Sequence, residues 1–277
     1  MNVLRIAAFS NGSKGGNPAG VVLADVMPPD AEMQRAAAQV GYSETVFAIP
    51  TTEGFRVRYF SPESEVPFCG HATIALGAAL AQKHGNGIFK LALNKTNITV
   101  EGHANGDEIS AALQSPPTHT KKPPEALIAE VLELFGYQPE DLDPRLPPAL
   151  INGGADHFVL ALKSRALLSA MKYDLDAGRK LMNQHGLVTV LLTYSETPQL
   201  FHTRNPFASG GVYEDPATGA STAAFAGYLR DLGWPHGGKI SIHQGDDMGS
   251  PSRLTAEFSD VSGSSIRVSG QARMMEN

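Results

Sequence analysis

The chain carries one short pattern twice, and that duplication limits its possible folds more than any other feature. Glu65-Val66-Pro67-Phe68-Cys69-Gly70-His71-Ala72-Thr73 lies against Glu214-Asp215-Pro216-Ala217-Thr218-Gly219-Ala220-Ser221-Thr222. Both stretches read Glu-x-Pro-x-x-Gly-x-small-Thr, and both run directly into an Ala-rich apolar segment. Upstream, residues 46–62 match residues 190–206 in length and in strand–turn–strand character. Gly15-Gly16 ahead of Val21-Val22-Leu23 parallels Gly153-Gly154 ahead of Val159-Leu160-Ala161. Four features repeated in one order point to an internal duplication. The natural division is an N-terminal half, residues 1–118, and a C-terminal half, residues 119–277, whose last strand can return to the first half. Pro116-Pro117 and Pro123-Pro124 bracket a polar stretch at 115–124, which has the composition of a linker.

Within each half, strands and helices intermix. Residues 3–9, 20–24, 45–49 and 55–60 are β-branched or aromatic runs bounded by Gly, Pro or Ser, and predict short strands. Apolar periodicity predicts helices over 31–40, 72–84, 125–135, 175–185 and 221–232. Gly41, Gly85, Gly136, Gly186 and Gly233 follow these segments, where a left-handed C-terminal residue is wanted. The chain after Lys239 is strand-rich, and the last residues, from Arg273, read as a tail.

Composition removes several classes of function. A net charge of −6 leaves no electrostatic footprint for nucleic acid, and Lys121-Lys122 is the only noticeable basic pair. No apolar run reaches the roughly 18 residues of a membrane span, and the N-terminus lacks the layout of a signal peptide, so the expected location is cytoplasmic. One cysteine, Cys69, cannot build a disulfide framework or a multi-cysteine zinc site. The nine histidines are scattered without an HExxH spacing, and Gly15-Gly16 does not extend to GxGxxG. Neither a metal nor a cofactor is expected.

The chemistry concentrates at the repeated turns. Gly70 and Gly219 fall at or near helix N-termini, where unpaired N–H groups and the positive end of the helix dipole favour an anion. Glycine lets that backbone approach a ligand closely. Two such turns suit a small carboxylate. Their polar side chains differ: His71 stands where the second half has Ala220, Asp215 where the first has Val66, and Cys69 where the second has Thr218. His71 and Asp215 could each serve only as caps, and Cys69 as a small buried apolar residue. Glu44, at the mouth of a strand in Ser43-Glu44-Thr45, is a candidate general base or simply a solvated carboxylate.

These motifs resemble those of the phenazine biosynthesis PhzF-like family, within the diaminopimelate epimerase-like fold. The pieces that carry the resemblance are Gly16-Asn17-Pro18-Ala19-Gly20-Val21, Ser43-Glu44-Thr45, Arg58-Tyr59-Phe60-Ser61-Pro62, Pro67-Phe68-Cys69-Gly70-His71-Ala72-Thr73 and Glu214-Asp215-Pro216-Ala217-Thr218-Gly219. The resemblance implies an α+β fold of two similar halves, each a mixed sheet wrapped around a central helix, with the active site in the cleft between them, and a homodimer. It implies a cofactor-independent isomerase that shifts a proton on a small carboxylate, as in isomerisation of trans-2,3-dihydro-3-hydroxyanthranilate. Glu44 would be the general base and acid, with His71 and Asp215 assisting. Asn17, Ser43, Cys69, Gly70, Thr218, Gly219 and Ala220 would bind substrate. The family often has Ser directly after the second glycine, whereas here Ala220 precedes Ser221. Racemases of the wider fold use two thiols, and the pair Cys69 and Thr218 departs from that pattern. Epimerisation of another small carboxylate and non-catalytic ligand binding stay open as alternatives.

Overall fold

The computed structural model describes residues 1–276, which form two compact units: Met1–Gln114 with the chain from Ser269 onward, and Ser115–Val268. In the first unit β1 (Leu4–Ser10) and β2 (Asn17–Leu23) form an antiparallel pair. Helix α1 (Asp30–Val40) then crosses to β3 (Thr45–Thr51), which runs parallel to β2. Strand β4 (Gly54–Phe60) turns back on β3, and the two-residue β5 (Glu65–Val66) pairs with its end. Helix α2 (Gly70–His84) follows, and leads to β6 (Gly87–Ala92), parallel to β4. Strands β7 (Asn97–Asn105) and β8 (Glu108–Gln114) complete the sheet as an antiparallel meander.

The second unit repeats this plan. It opens with β9 (His119–Lys121), so the stretch expected to be a linker contains a strand of its own, paired with β10 (Ala149–Asn152). Helix α3 (Glu125–Phe135) lies between them in sequence. Strand β11 (Asp156–Ala161) pairs antiparallel with β10. Helices α4 (Arg165–Ser169) and α5 (Leu175–His185) cross to β12 (Thr189–Thr197), which is parallel to β11. Then come the antiparallel β13 (Leu200–Phe207), the short β14 (Val212–Asp215) and α6 (Gly219–Asp231). Strand β15 (Lys239–Gln244) runs parallel to β13 and β16 (Ser252–Glu257) antiparallel to β15.

The last strand, β17 (Arg267–Met274), pairs with both β1 and β8 and closes the first unit's sheet on itself. Arg273 and Met274 therefore belong to a strand rather than a tail; the Met275 N–H still donates to the Arg5 carbonyl at 2.8 Å. Asn277, the end of that expected tail, lies outside the described residues. The tail reading failed because alternation is weak over so few residues, and closure of a sheet supplies partners that local sequence does not show.

Each sheet wraps a helix made of small residues. In α2 every residue from His71 to Ala81 is buried, and in α6 every residue from Ser221 to Arg230. A helix enclosed this way cannot show an amphipathic stripe. Close approach sets the residue choice: a Cβ on Gly102 of β7 would meet the Gly77 carbonyl oxygen of α2 at 2.2 Å. The outer helices are ordinary amphipathic ones. Met33 and Ala37 of α1 pack on Val22, Phe47 and Phe60, while α3 and α5 bring Leu127, Val131, Leu181 and Met182 onto Phe158, Leu160, Val190 and Leu192. Gly41, Gly136 and Gly186 end α1, α3 and α5 in the left-handed conformation. Among the described residues no helix is long and apolar enough to cross a membrane.

His157 shows what this packing does to a polar group. Thr189 Oγ1 donates to Asn205 Oδ1 at 3.2 Å, so it must accept from His157 Nδ1, 2.8 Å away. Nε2 is left as a buried lone pair without a partner, and burial pushes the imidazole down to about 4 from 6.5. The unfolded chain takes up this proton first on acidification. The stabilisation is therefore complete above about pH 6.5 and is lost progressively as pH falls toward about 4. The thermal unfolding midpoint of wild type should fall across that window, and His157→Asn should flatten the fall. An equally steep fall in the variant would mean another group carries it.

Candidate active site

In the first unit the site is assembled where β3 begins and α2 begins. The Gly20 N–H of β2 donates to the Glu44 carbonyl at 3.2 Å, and a Cβ on Gly20 would meet Thr45 Oγ1 at 2.6 Å. Glycine here lets β2 lie against the strand mouth and fixes the backbone of Glu44. The Glu44 carboxylate then reaches His71, with Oε2 3.4 Å from His71 Nε2. Ser43 Oγ lies 3.4 Å from the same nitrogen, and Cys69 Sγ lies 3.3 Å from His71 Nδ1. His71 is 6% exposed and Cys69 9%. Glu44 Oε2 is buried without a hydrogen-bond partner. A carboxylate oxygen in that position has a lone pair ready for a proton.

Four of the expected residues, Ser43, Glu44, Cys69 and His71, are thus brought together around one imidazole. One ligand atom from each of Glu44, Cys69 and His71 lies within 4.8 Å of the others, so the trio also has donors of the kind a soft divalent metal accepts. Asn17 is buried at the first position of β2, opposite Ala8.

The start of α2 carries no side-chain cap on Cys69 and no acidic residue in its first turn, and the same holds at Thr218 and α6. By contrast α1, α3 and α5 all place Asp or Glu in the first turn. Neither enclosed helix is therefore capped by its own first residue or balanced by a first-turn acid, which suits an anion at its N-terminus.

In the second unit the loop before α6 is held by Gln244, the fully buried last residue of β15. Its amide nitrogen donates to the Asp215 carbonyl at 2.7 Å and to Thr218 Oγ1 at 3.0 Å, and its oxygen accepts from the Thr218 N–H at 3.1 Å. Thr218 Oγ1 donates onward to Asp215 Oδ2 at 2.6 Å. Sequence reasoning singled out Asp215, Thr218, Gly219 and Ala220 but missed Gln244, because a lone Gln at a strand end carries no motif. Ser221, the hydroxyl that follows Ala220, is wholly buried with Oγ unpartnered, so the first turn of α6 offers backbone N–H at Ala220 but no hydroxyl there.

The first residue of each repeated pattern has a structural task. Glu65 accepts from Arg58 Nε and Nη2 at 2.8 and 2.6 Å, and Glu214 accepts from Arg204 Nε and Nη2 at 2.9 and 2.5 Å. In each unit the Arg precedes the residue that pairs across to the next motif position: Tyr59 with Val66, and Asn205 with Asp215. The duplication thus extends to the ion pair that ties the loop to its strand. The second pair is the more enclosed, at 8% and 3% side-chain exposure against 16% and 28% for the first. Glu214→Gln should destabilise by about 3–5 kcal/mol by leaving Arg204 buried and unpaired. Glu65→Gln should cost about 1 kcal/mol or less, since water and Asp30 also serve Arg58. Urea unfolding of both variants checks the order, and equal losses would contradict it.

Comparison with known proteins follows the same lines. A family model described as phenazine biosynthesis-like protein matches residues 6–277. An uncharacterized isomerase of Deinococcus radiodurans is 32% identical over 261 residues, covering 91% of this chain and 85% of that protein. Trans-2,3-dihydro-3-hydroxyanthranilate isomerase of Pseudomonas fluorescens is 30% identical over 262 residues, covering 92% of this chain and 90% of that one. The crystal structure of a Bacillus anthracis phenazine biosynthesis protein of the PhzF family has the same fold, with a TM-score of 0.87 at 22% identity over 100% of this chain and 98% of that one.

Proposed function

The chain belongs to the phenazine biosynthesis-like protein family, and on that premise we propose that it is an isomerase moving a proton between carbons of a small carboxylate, with Glu44 as the base. The observation that carries this reading is the Glu44 carboxylate: its Oε2 is buried, has no hydrogen-bond partner, and lies 3.4 Å from His71 Nε2. In the proposed reaction Glu44 takes a proton from a carbon adjacent to the substrate's conjugated system. The C–H electron pair passes into that system, and the proton returns from Glu44 to a second carbon of the same molecule. No oxidation state changes overall, so the reading assigns no cofactor.

His71 assists in this scheme: its Nε2 faces Glu44 and Ser43, while Nδ1 faces Cys69, so the ring is placed to donate toward the Glu44 carboxylate or a substrate oxygen beside it. The uncapped first turn of α2, from Gly70, is proposed to bind the substrate carboxylate through backbone N–H groups. Asn17 in the first unit, and Asp215, Thr218, Gly219 and Ala220 in the second, are proposed as substrate-binding residues. Thr218 already donates its hydroxyl to Asp215, which speaks against its acting as the second thiol-like base of a racemase. By family resemblance the reading extends to a homodimer.

Trans-2,3-dihydro-3-hydroxyanthranilate is the first substrate to try, because the Pseudomonas fluorescens relative is named for it. NMR in deuterated buffer should show substrate consumption by wild type, and Glu44→Gln should slow it by about 10²–10⁴-fold, as loss of a general base does. Full turnover by the variant would falsify the assignment of Glu44. A folded wild type that leaves this compound unchanged would remove it as the substrate. Exchange at one carbon with inversion would turn the reading to an epimerase.

A further inference from the structure

A second group of metal-ligand side chains lies in the second unit, apart from the residues assigned above. His202 of β13 and His243 of β15 stand directly opposite each other on neighbouring parallel strands, with ring centroids 5.3 Å apart. Asp246, which follows β15, completes the group: one ligand atom from each of the three lies within 4.8 Å of the others. Side chains alternate along a strand, so His243 faces away from the side on which Gln244 holds the Asp215 loop.

The surroundings are arranged as they are around a bound metal. Glu196 Oε2 lies 2.6 Å from His202 Nε2, which fixes that nitrogen as the protonated one. The other, Nδ1, is then a buried lone pair, and it has no hydrogen-bond partner. A carboxylate that orients a ligand histidine in this way is a recurrent outer partner of metal sites. Asp246 is also held: Arg253 donates to its two oxygens at 2.9 and 3.0 Å, using only part of the carboxylate's lone-pair capacity. Its backbone is fixed by Gly245, left-handed at φ 78°, where a Cβ would meet the Ser250 carbonyl oxygen at 2.1 Å.

We propose that His202, His243 and Asp246 form a binding site for a divalent transition metal of the zinc type, with Glu196 as its orienting partner. Two imidazoles and one carboxylate suit zinc, whereas magnesium prefers an all-oxygen set. The metal would staple the end of β15 to β13. This inference is independent of the isomerase reading, because none of these residues is assigned to the reaction.

The test is calorimetric titration of chelator-treated protein with Zn²⁺ alone, in a Cys69→Ser background that weakens the other cluster. One equivalent should bind, with Mg²⁺ giving no heat. His243→Asn and Asp246→Asn should each weaken Zn²⁺ at least about tenfold, and Glu196→Gln by roughly 10–100-fold. Unchanged affinity in all three, or no binding to the folded protein, would overturn the site. Should the variants fail to fold, the absorption spectrum of Co²⁺-loaded wild type decides instead. Tetrahedral nitrogen–oxygen bands without a thiolate charge-transfer band support the site, and a thiolate band at one equivalent places the metal on Cys69 and refutes it.

Discussion

A helix enclosed on all sides by its own sheet has only its ends for chemistry, and the rest of this protein is arranged around that constraint. Enclosure demands small residues, hence the alanines of α2 and α6 and the contact of Gly77 with Gly102. The first-turn amides of such a helix must still find partners, from solvent, side chains or a ligand. Side-chain caps could have supplied them, as Asp174 does for α5 and Ser164 for α4. At Cys69 and Thr218 they do not. Burial of the helix body and exposure of its dipole are thus one design, since the apolar enclosure that stabilises the helix also raises the local strength of the dipole at its end.

An uncapped helix start is useful only if the loop in front of it is stiff. Both loops are tied by an Arg–Glu fork to the preceding strand, but they are tied to different degrees. The first unit leaves Arg58 shared between Glu65 and Asp30, partly in water. The second buries Arg204 with Glu214 and adds donation to the Ser169 carbonyl, then fixes the loop again through Gln244. A buried fork whose Arg has a single acidic partner is costly to break, whereas the first unit's Arg58 can turn from Glu65 to Asp30.

The sequence made the architecture legible and the supports much less so. The helices read at 31–40, 72–84, 125–135, 175–185 and 221–232 are all present as α1, α2, α3, α5 and α6, because an apolar stripe, or in α2 and α6 an Ala-rich apolar run, and a following glycine are local signals. Helix α4 escaped, being one short turn, while the return of the last strand to the first half was legible but its partners, β1 and β8, were not. Among polar residues the motifs exposed Glu44, Cys69, His71, Asp215 and Thr218. They could not expose Gln244, Arg204 or the partnership of His202 with His243. Each of these acquires meaning only when strand pairing brings separate segments together, as β13 does with β14 for Arg204 and with β15 for His202.

The duplicated frame leaves open why its two helix starts should have diverged. At the first, three ionisable or polarisable groups, Glu44, His71 and Cys69, converge, and one carboxylate oxygen is kept unpaired. At the second, the N–H and hydroxyl of Thr218 are engaged with Gln244 and Asp215, its carbonyl accepts from the Thr222 N–H, and the neighbouring Ser221 hydroxyl is withdrawn into the core. The repeated turns thus keep one frame, an Arg–Glu fork on the preceding strand, and differ in a few side chains: the first gathers ionisable groups around an imidazole, and the second closes a hydrogen-bond network around Gln244.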